Sequence, residues 1–160
     1  MEIFQNIIGN EGAKEYFNRA INKKQLSHSY IFEGPYGVGK NTFAIELAKT
    51  IMCEGESKPC NECPSCTMIN ARTHPDLIVI EKDTNVTKVD NIREHLIREM
   101  EIKPYRSEHK IIIVKAADTV NVQGQNAMLK TIEEPPGYGI IILVCENMGS
   151  LLPTIKSRCI

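Results

Sequence analysis

The stretch SYIFEGPYGVGKN, Ser29 to Asn41, constrains this chain more tightly than any other. An apolar, strand-like run enters a glycine loop. Behind the loop, Ala44, Leu47, Ala48, Ile51 and Met52 share one face of a helix. Strand, glycine loop and helix, in that order, are the setting in which backbone amides gather around a phosphate. Gly34, Gly37 and Gly39 let those amides turn toward one point, and the helix starting near Lys40 adds its positive end.

The rest of the chain repeats the alternation. Asn10 to Lys23 has helix spacing, with Ala13, Tyr16, Phe17, Ala20 and Ile21 apolar and Asn10 placed to cap the start. A cysteine-rich turn follows the loop helix. DLIVIE, Asp76–Glu81, then reads as a strand. Thr87 with Asp90 forms a weak capping box for a helix whose buried face is Val89, Ile92, Leu96 and Met100. KIIIVKA, Lys110–Ala116, is a strand covered on both faces. Asn121 to Glu134 is a helix stopped by Pro135 and Pro136, GIIILVCE is a further strand, and a short helix starts near Pro153. The fold class is α/β: a parallel sheet flanked by helices, one domain over 1–160, with ligands expected at the carboxyl ends of the strands.

The glycine loop makes Gly34, Gly37, Val38, Gly39, Lys40, Asn41 and Thr42 the nucleotide-binding positions, for ATP or ADP. Asn41 stands where a magnesium-holding hydroxyl is expected, and magnesium is demanding about geometry. Thr42 is one residue on, about 100° around the helix. A working ATPase also needs acids at the end of a neighbouring strand. Lys115, Ala116 and Ala117 occupy those places, and Asp118 comes late. Both departures point to a degraded ATPase.

Cys53, Cys60, Cys63 and Cys66 have the spacing to hold one ion in a tight turn. Four thiolates suit structural zinc (Zn2+) and leave no open catalytic position; four surface thiols or a redox C-x-x-C are the alternatives. His74 is expected to be structural and Cys145 buried. There is no basic leader and no apolar run near the roughly 18 residues of a membrane span, so the expected location is the cytoplasm, where thiols stay reduced. A formal net charge of −1 argues against a protein that coats nucleic acid. A zinc-stabilised nucleic-acid module is the reading it disfavours.

QLSHSYIFEGPYGVGK, the cysteine module behind it, THPDL, TKVDNIRE, NAMLKTIEEPP and SRC together resemble the bacterial DNA polymerase III clamp loader subunits, the gamma/tau and delta prime proteins of the AAA+ class. The resemblance covers nearly the whole chain, in order. It implies a P-loop NTPase domain with the zinc module, about 53–66, inserted after the loop helix. Gamma/tau subunits carry a Ser/Thr-ending loop and an acidic pair, so Asn41 and Lys115-Ala116-Ala117-Asp118 point toward delta prime.

The implied role is loading the sliding clamp on primed DNA, as part of the polymerase III holoenzyme, with gamma/tau and delta subunits as partners and no membrane. Arg158, in Ser157-Arg158-Cys159, would be a catalytic finger reaching a neighbour's nucleotide in trans; without the resemblance it reads as a solvated arginine. Cys159 would then pack and not react. Glu146 in Cys145-Glu146-Asn147 would repel a γ-phosphate, and Glu133 and Glu134 receive no acid or base role. The expectation is a subunit without ATPase activity of its own; the alternative is an active gamma/tau-type motor. Family members continue beyond SRC with a strand, a helical lid and a collar, which are expected to lie outside this chain. The missing strand would sit beside Ser29–Gly34, and its absence would favour self-association or a loosened edge.

Overall fold

The computed structural model describes residue 4 and residues 7–81 and 89–160. Strand β1 (Ser29–Glu33), β2 (Leu77–Ile80), β3 (Lys110–Val114) and β4 (Gly139–Cys145) form one sheet in the order β1-β4-β3-β2. Every pairing is parallel, with Ser29 opposite Ile141, Ile111 opposite Ile140 and Leu77 opposite Ile111. Parallel neighbours need long crossovers, and helices supply them.

The two central strands, β3 and β4, are buried at every position because both faces are covered. Ile111, Ile113, Ile140, Ile142 and Val144 point to one side, onto α1 (Glu11–Asn22) and α2 (Lys40–Met52) through Phe17, Phe43 and Leu47. Ile112, Val114, Ile141 and Leu143 point to the other, onto α4 (Val89–Glu101) and α5 (Val122–Glu133) through Leu96, Met100, Met128 and Ile132. The period-two alternation of a pleated strand thus splits the core into two layers. On the first side, Phe17 lies edge-on to Tyr30 and Phe32, with ring centroids 5.1 and 5.7 Å away.

Two sequence expectations need correction. Asn10 stands before α1, but its backbone is left-handed at φ 57 and its side chain makes no cap hydrogen bond. The cysteine-rich turn contains a helix, α3 (Pro64–Asn70), started by Pro64 and by the Cys63 sulfur, which accepts the Cys66 amide. The capping box at Thr87 and Asp90, and the side chains of Val89 and Ile92, lie outside what is described. Asn121 does cap α5, accepting the Gly124 amide at 2.8 Å, and Pro153 opens the short α6 (Pro153–Lys156).

β1 is an outer strand. Ile160 lies along its free side, donating to the Ser29 carbonyl at 3.1 Å and accepting the Ile31 amide at 2.8 Å. Among the described residues, no helix is long and apolar enough to cross a membrane.

Candidate nucleotide and metal sites

β1, β3 and β4 all end at the same edge of the sheet, and the glycine loop leaves β1 there. Gly37 and Gly39 have φ of 86° and 91°, a region that L side chains adopt only under strain. Gly39 caps α2 without a side-chain hydrogen bond, so the first amides of this 13-residue helix stay available to an anion. The Lys40 ammonium folds back to donate to the carbonyl of Gly34, and to that of Pro35 at 3.3 Å.

Two clefts meet at this loop. One, of about 620 Å³, joins Lys40, Asn41 and Thr42 to Ala116, Asp118 and Glu146. The other, of about 420 Å³, is walled by Ile7, Ala13, Phe32, Val38 and Phe43, with Asn10, Glu33 and Lys40 also lining it. Charged groups of both signs line the larger cleft and two phenylalanines the smaller, and together they leave room for a ligand with a phosphate tail and a flat base.

Asp118 reaches the polar cleft despite its late position, because a 3-10 turn at Ala117–Thr119 compresses the chain after β3. Its Oδ2 accepts the amides of Glu146 and Asn147, both at 3.2 Å. Glu33 Oε2 accepts the Met148 amide at 2.6 Å. Both carboxylates therefore brace the turn after β4. Lys115 turns outward to Glu81 at 2.8 Å. Cys145, at the cleft floor, has its thiol pushed up to about 11, first by burial and then by Asp118 and Glu33.

One turn further, Gln125 is 2% exposed and fully used. Its Nε2 donates to the carbonyls of Val120 and Ser150 at 2.9 and 3.0 Å, and its Oε1 accepts the Leu152 amide at 2.7 Å. The segment it holds leads through α6 to Arg158, which is largely exposed, 3.8 Å from Glu133. Cys159 packs against the core, and burial pushes its thiol up to about 11.

The four cysteines come together as expected. The sulfurs of Cys53, Cys60, Cys63 and Cys66 all lie within 4.8 Å of one another. A tetrahedron of thiolates about 2.3 Å from zinc has edges of about 3.8 Å, and Cys53 and Cys63 are 4.0 Å apart. Amides point at the sulfurs: Cys60 accepts from Glu62 and Cys63, and Cys63 accepts from Glu54 and Cys66. Burial alone would raise the Cys63 thiol, but these amides outweigh it and bring it down to about 6. The Cys60 thiol is lowered too, by the Glu62 and Cys63 amides, whereas burial raises Cys53 and Cys66. Gly55 is required by close approach, since a Cβ there would lie 3.0 Å from the Cys60 sulfur.

The module is seated by a polar chain that the sequence did not reveal. His74 Nδ1 accepts the Asp76 amide at 3.0 Å, so Nε2 carries the hydrogen toward Ser65 Oγ at 3.3 Å. Ser65 then donates to Glu54 at 2.7 Å, and Arg106 pairs with the same carboxylate at 3.0 Å. The imidazole donates to Ser65 and cannot take its proton, and the Glu54 carboxylate that accepts it is held below its ordinary range, so this is a structural chain and not an activated nucleophile. Buried Asp76 accepts three successive amides, Tyr105, Arg106 and Ser107, at 2.6, 2.7 and 2.6 Å. Burial would raise its carboxyl, but the amides and His74 hold it below the usual range. No spacing rule pairs an acid with amides 29 to 31 positions away.

A family model described as DNA polymerase III, delta subunit matches residues 9–160. The delta prime subunit of Bacillus subtilis DNA polymerase III is 38% identical over 141 residues, covering 88% of this chain and 43% of that protein. The tau subunit of the same organism is 35% identical over 159 residues, covering 98% of this chain and 28% of that protein. Among solved structures, a DNA polymerase III gamma subunit-related protein of Thermotoga maritima superposes with a TM-score of 0.69 at 25% identity, covering 91% of this chain and 43% of that one. The chain spans less than half the length of each of these relatives. With the family model matched from Gly9 to the last residue, this chain belongs to the DNA polymerase III delta subunit family.

Proposed function

We propose that the chain is the AAA+ P-loop domain of a delta prime-type clamp loader subunit, which holds its neighbours in place and does not split nucleotide. The observation that carries the reading is the state of the metal-gripping positions. Asn41 replaces the hydroxyl, Lys115 and two alanines replace the acids, and Asp118 is committed to the backbone of Glu146 and Asn147. ATP or ADP would be held through the glycine loop amides and Lys40, with its base against Phe32 and Phe43 in the smaller cleft. Magnesium-dependent cleavage lacks the groups to orient it.

Arg158 is the finger offered in trans to a neighbour's nucleotide, where a guanidinium offsets charge building on the transferred phosphoryl group. Its exposure and the pinned segment before it support that role. The partners are gamma/tau and delta subunits and, through the assembly, the sliding clamp and primed DNA, in the cytoplasm. Cys53, Cys60, Cys63 and Cys66 would hold a zinc ion that cross-links the module and takes no part in chemistry.

Reconstitution of the full-length subunit with an ATPase subunit of the same complex tests this. Arg158→Ala is expected to lower turnover at the facing site by on the order of 10³-fold, while this chain's fold and metal content stay unchanged. Unaltered partner turnover would refute it. The near-complete coverage by the tau relative favours one alternative, an active motor. That reading requires turnover by the isolated subunit that Lys40→Ala abolishes.

A further inference from the structure

At the opposite edge of the sheet, where β1, β3 and β4 begin, lies a cleft of about 400 Å³ that the nucleotide reading does not use. We propose that it binds a small organic anion with an apolar body, independently of the glycine loop. Its inner wall is Ile21, Leu26, Ile51 and Ile140. Its polar rim carries Lys24 and Lys58, with Glu108 as the one acid among the lining residues. Neither ammonium forms an ion pair among the described residues. Two unpaired cations above an apolar wall favour a ligand with a charged head and a carbon body over either part alone.

The cleft is assembled from five separate segments, and bonds between and within them fix its shape. His28 Nδ1 contacts the Gly139 carbonyl at 2.9 Å, tying the turn before β1 to the start of β4. The Ser27 amide donates to the Tyr30 hydroxyl at 2.6 Å, and the Gln25 amide to the Ala20 carbonyl at 2.8 Å. The imidazole of His109 also lines the cleft, and its Nδ1 is buried without a hydrogen-bond partner among the described residues. A buried polar atom left unpaired in a native fold calls for a partner. Lys58 comes from the cysteine module, and Thr50 and Ile51 from the end of α2. An occupant therefore touches the module and the far end of the loop helix together.

The test uses phenyl phosphate, with inorganic phosphate and phenol as its two halves, on the isotope-labelled 160-residue chain carrying Lys40→Ala. That substitution weakens the competing glycine loop. Phenyl phosphate should bind at least about tenfold more tightly than either half. Amide shifts should move at Ser27, His28, His109 and Gly137. Lys24→Ala with Lys58→Ala should weaken binding by about tenfold or more; both lysines lie at the cleft's solvent rim, and circular dichroism checks that the fold persists. Shifts confined to Gly37–Asn41, affinity unmoved by the double variant, or no saturable binding below about 10 mM would each overturn the proposal.

Discussion

Replacing Asp76 by Ala isolates the contact that fixes the cysteine module's side of the sheet. The carboxylate is 0% exposed and accepts three amides at 2.6–2.7 Å. A hydrogen bond to a charged group contributes about 1.5–3 kcal/mol net. Three would sum to roughly 4.5–9 kcal/mol if independent, but water reaches part of the loop they hold, because Tyr105 and Arg106 are exposed. The expected loss is therefore about 3–4 kcal/mol, against a total of about 5–15 kcal/mol for such a domain. With a urea slope of about 2 kcal/mol/M, the midpoint should fall by about 1.5–2 M. Asp76→Asn keeps an acceptor without the charge and should fall between. Because the folded carboxyl sits below its ordinary value, its contribution is complete above about pH 4 and disappears as pH falls through the folded value. The gap between wild type and Asp76→Ala should thus narrow in acid. A loss under about 1 kcal/mol at neutral pH, or a gap unchanged in acid, would refute the account.

Metal loading of the cysteine cluster should raise the melting temperature by about 5–10 °C, and a chelator should reverse it, as followed by calorimetry with elemental analysis. Gly55→Ala should weaken metal affinity by about 10–100-fold, because the added carbon meets Cys60 at 3.0 Å; competition with a chromogenic chelator reads it. Gln125→Leu should cost about 2–4 kcal/mol in denaturant unfolding, since it leaves two carbonyls and the Leu152 amide without their partner.

What the sequence disclosed was the part governed by local period and composition. The runs KIIIV and GIIILVC announce strands buried on both faces, and all four core strands lie where such runs predicted them. The four cysteines are close in sequence, so their meeting needs only one turn of chain. What stayed hidden depends on pairs distant in sequence. Glu33 reaches Met148 across 115 positions, and Gln125 reaches Ser150 across 25. Asp118 read as too late for the site because strand spacing was carried past Val114; the 3-10 turn that shortens the path has no strong signature. Asn10 failed as a cap because its backbone is left-handed there, a conformation that helix spacing does not announce.

These distant bonds have a joint consequence for the turn after β4. In a nucleotide-sensing domain, a polar group there must be free to follow the presence or absence of a phosphate. Here the protein itself supplies the partners: Asp118 takes the amides of Glu146 and Asn147, Glu33 takes that of Met148, and Gln125 takes that of Leu152. A bound ligand shifts an equilibrium only by its differential affinity for two states. A turn whose amides are already satisfied by carboxylates and a carboxamide offers an incoming phosphate little to change, and the acids beside it disfavour one approaching. Arg158 follows this turn by way of α6, so its position is set by the fold and not by the occupant of the glycine loop. At this edge of the sheet the carboxylates of Asp118 and Glu33 are spent on the backbone, which is what a turn indifferent to the occupant of the glycine loop requires.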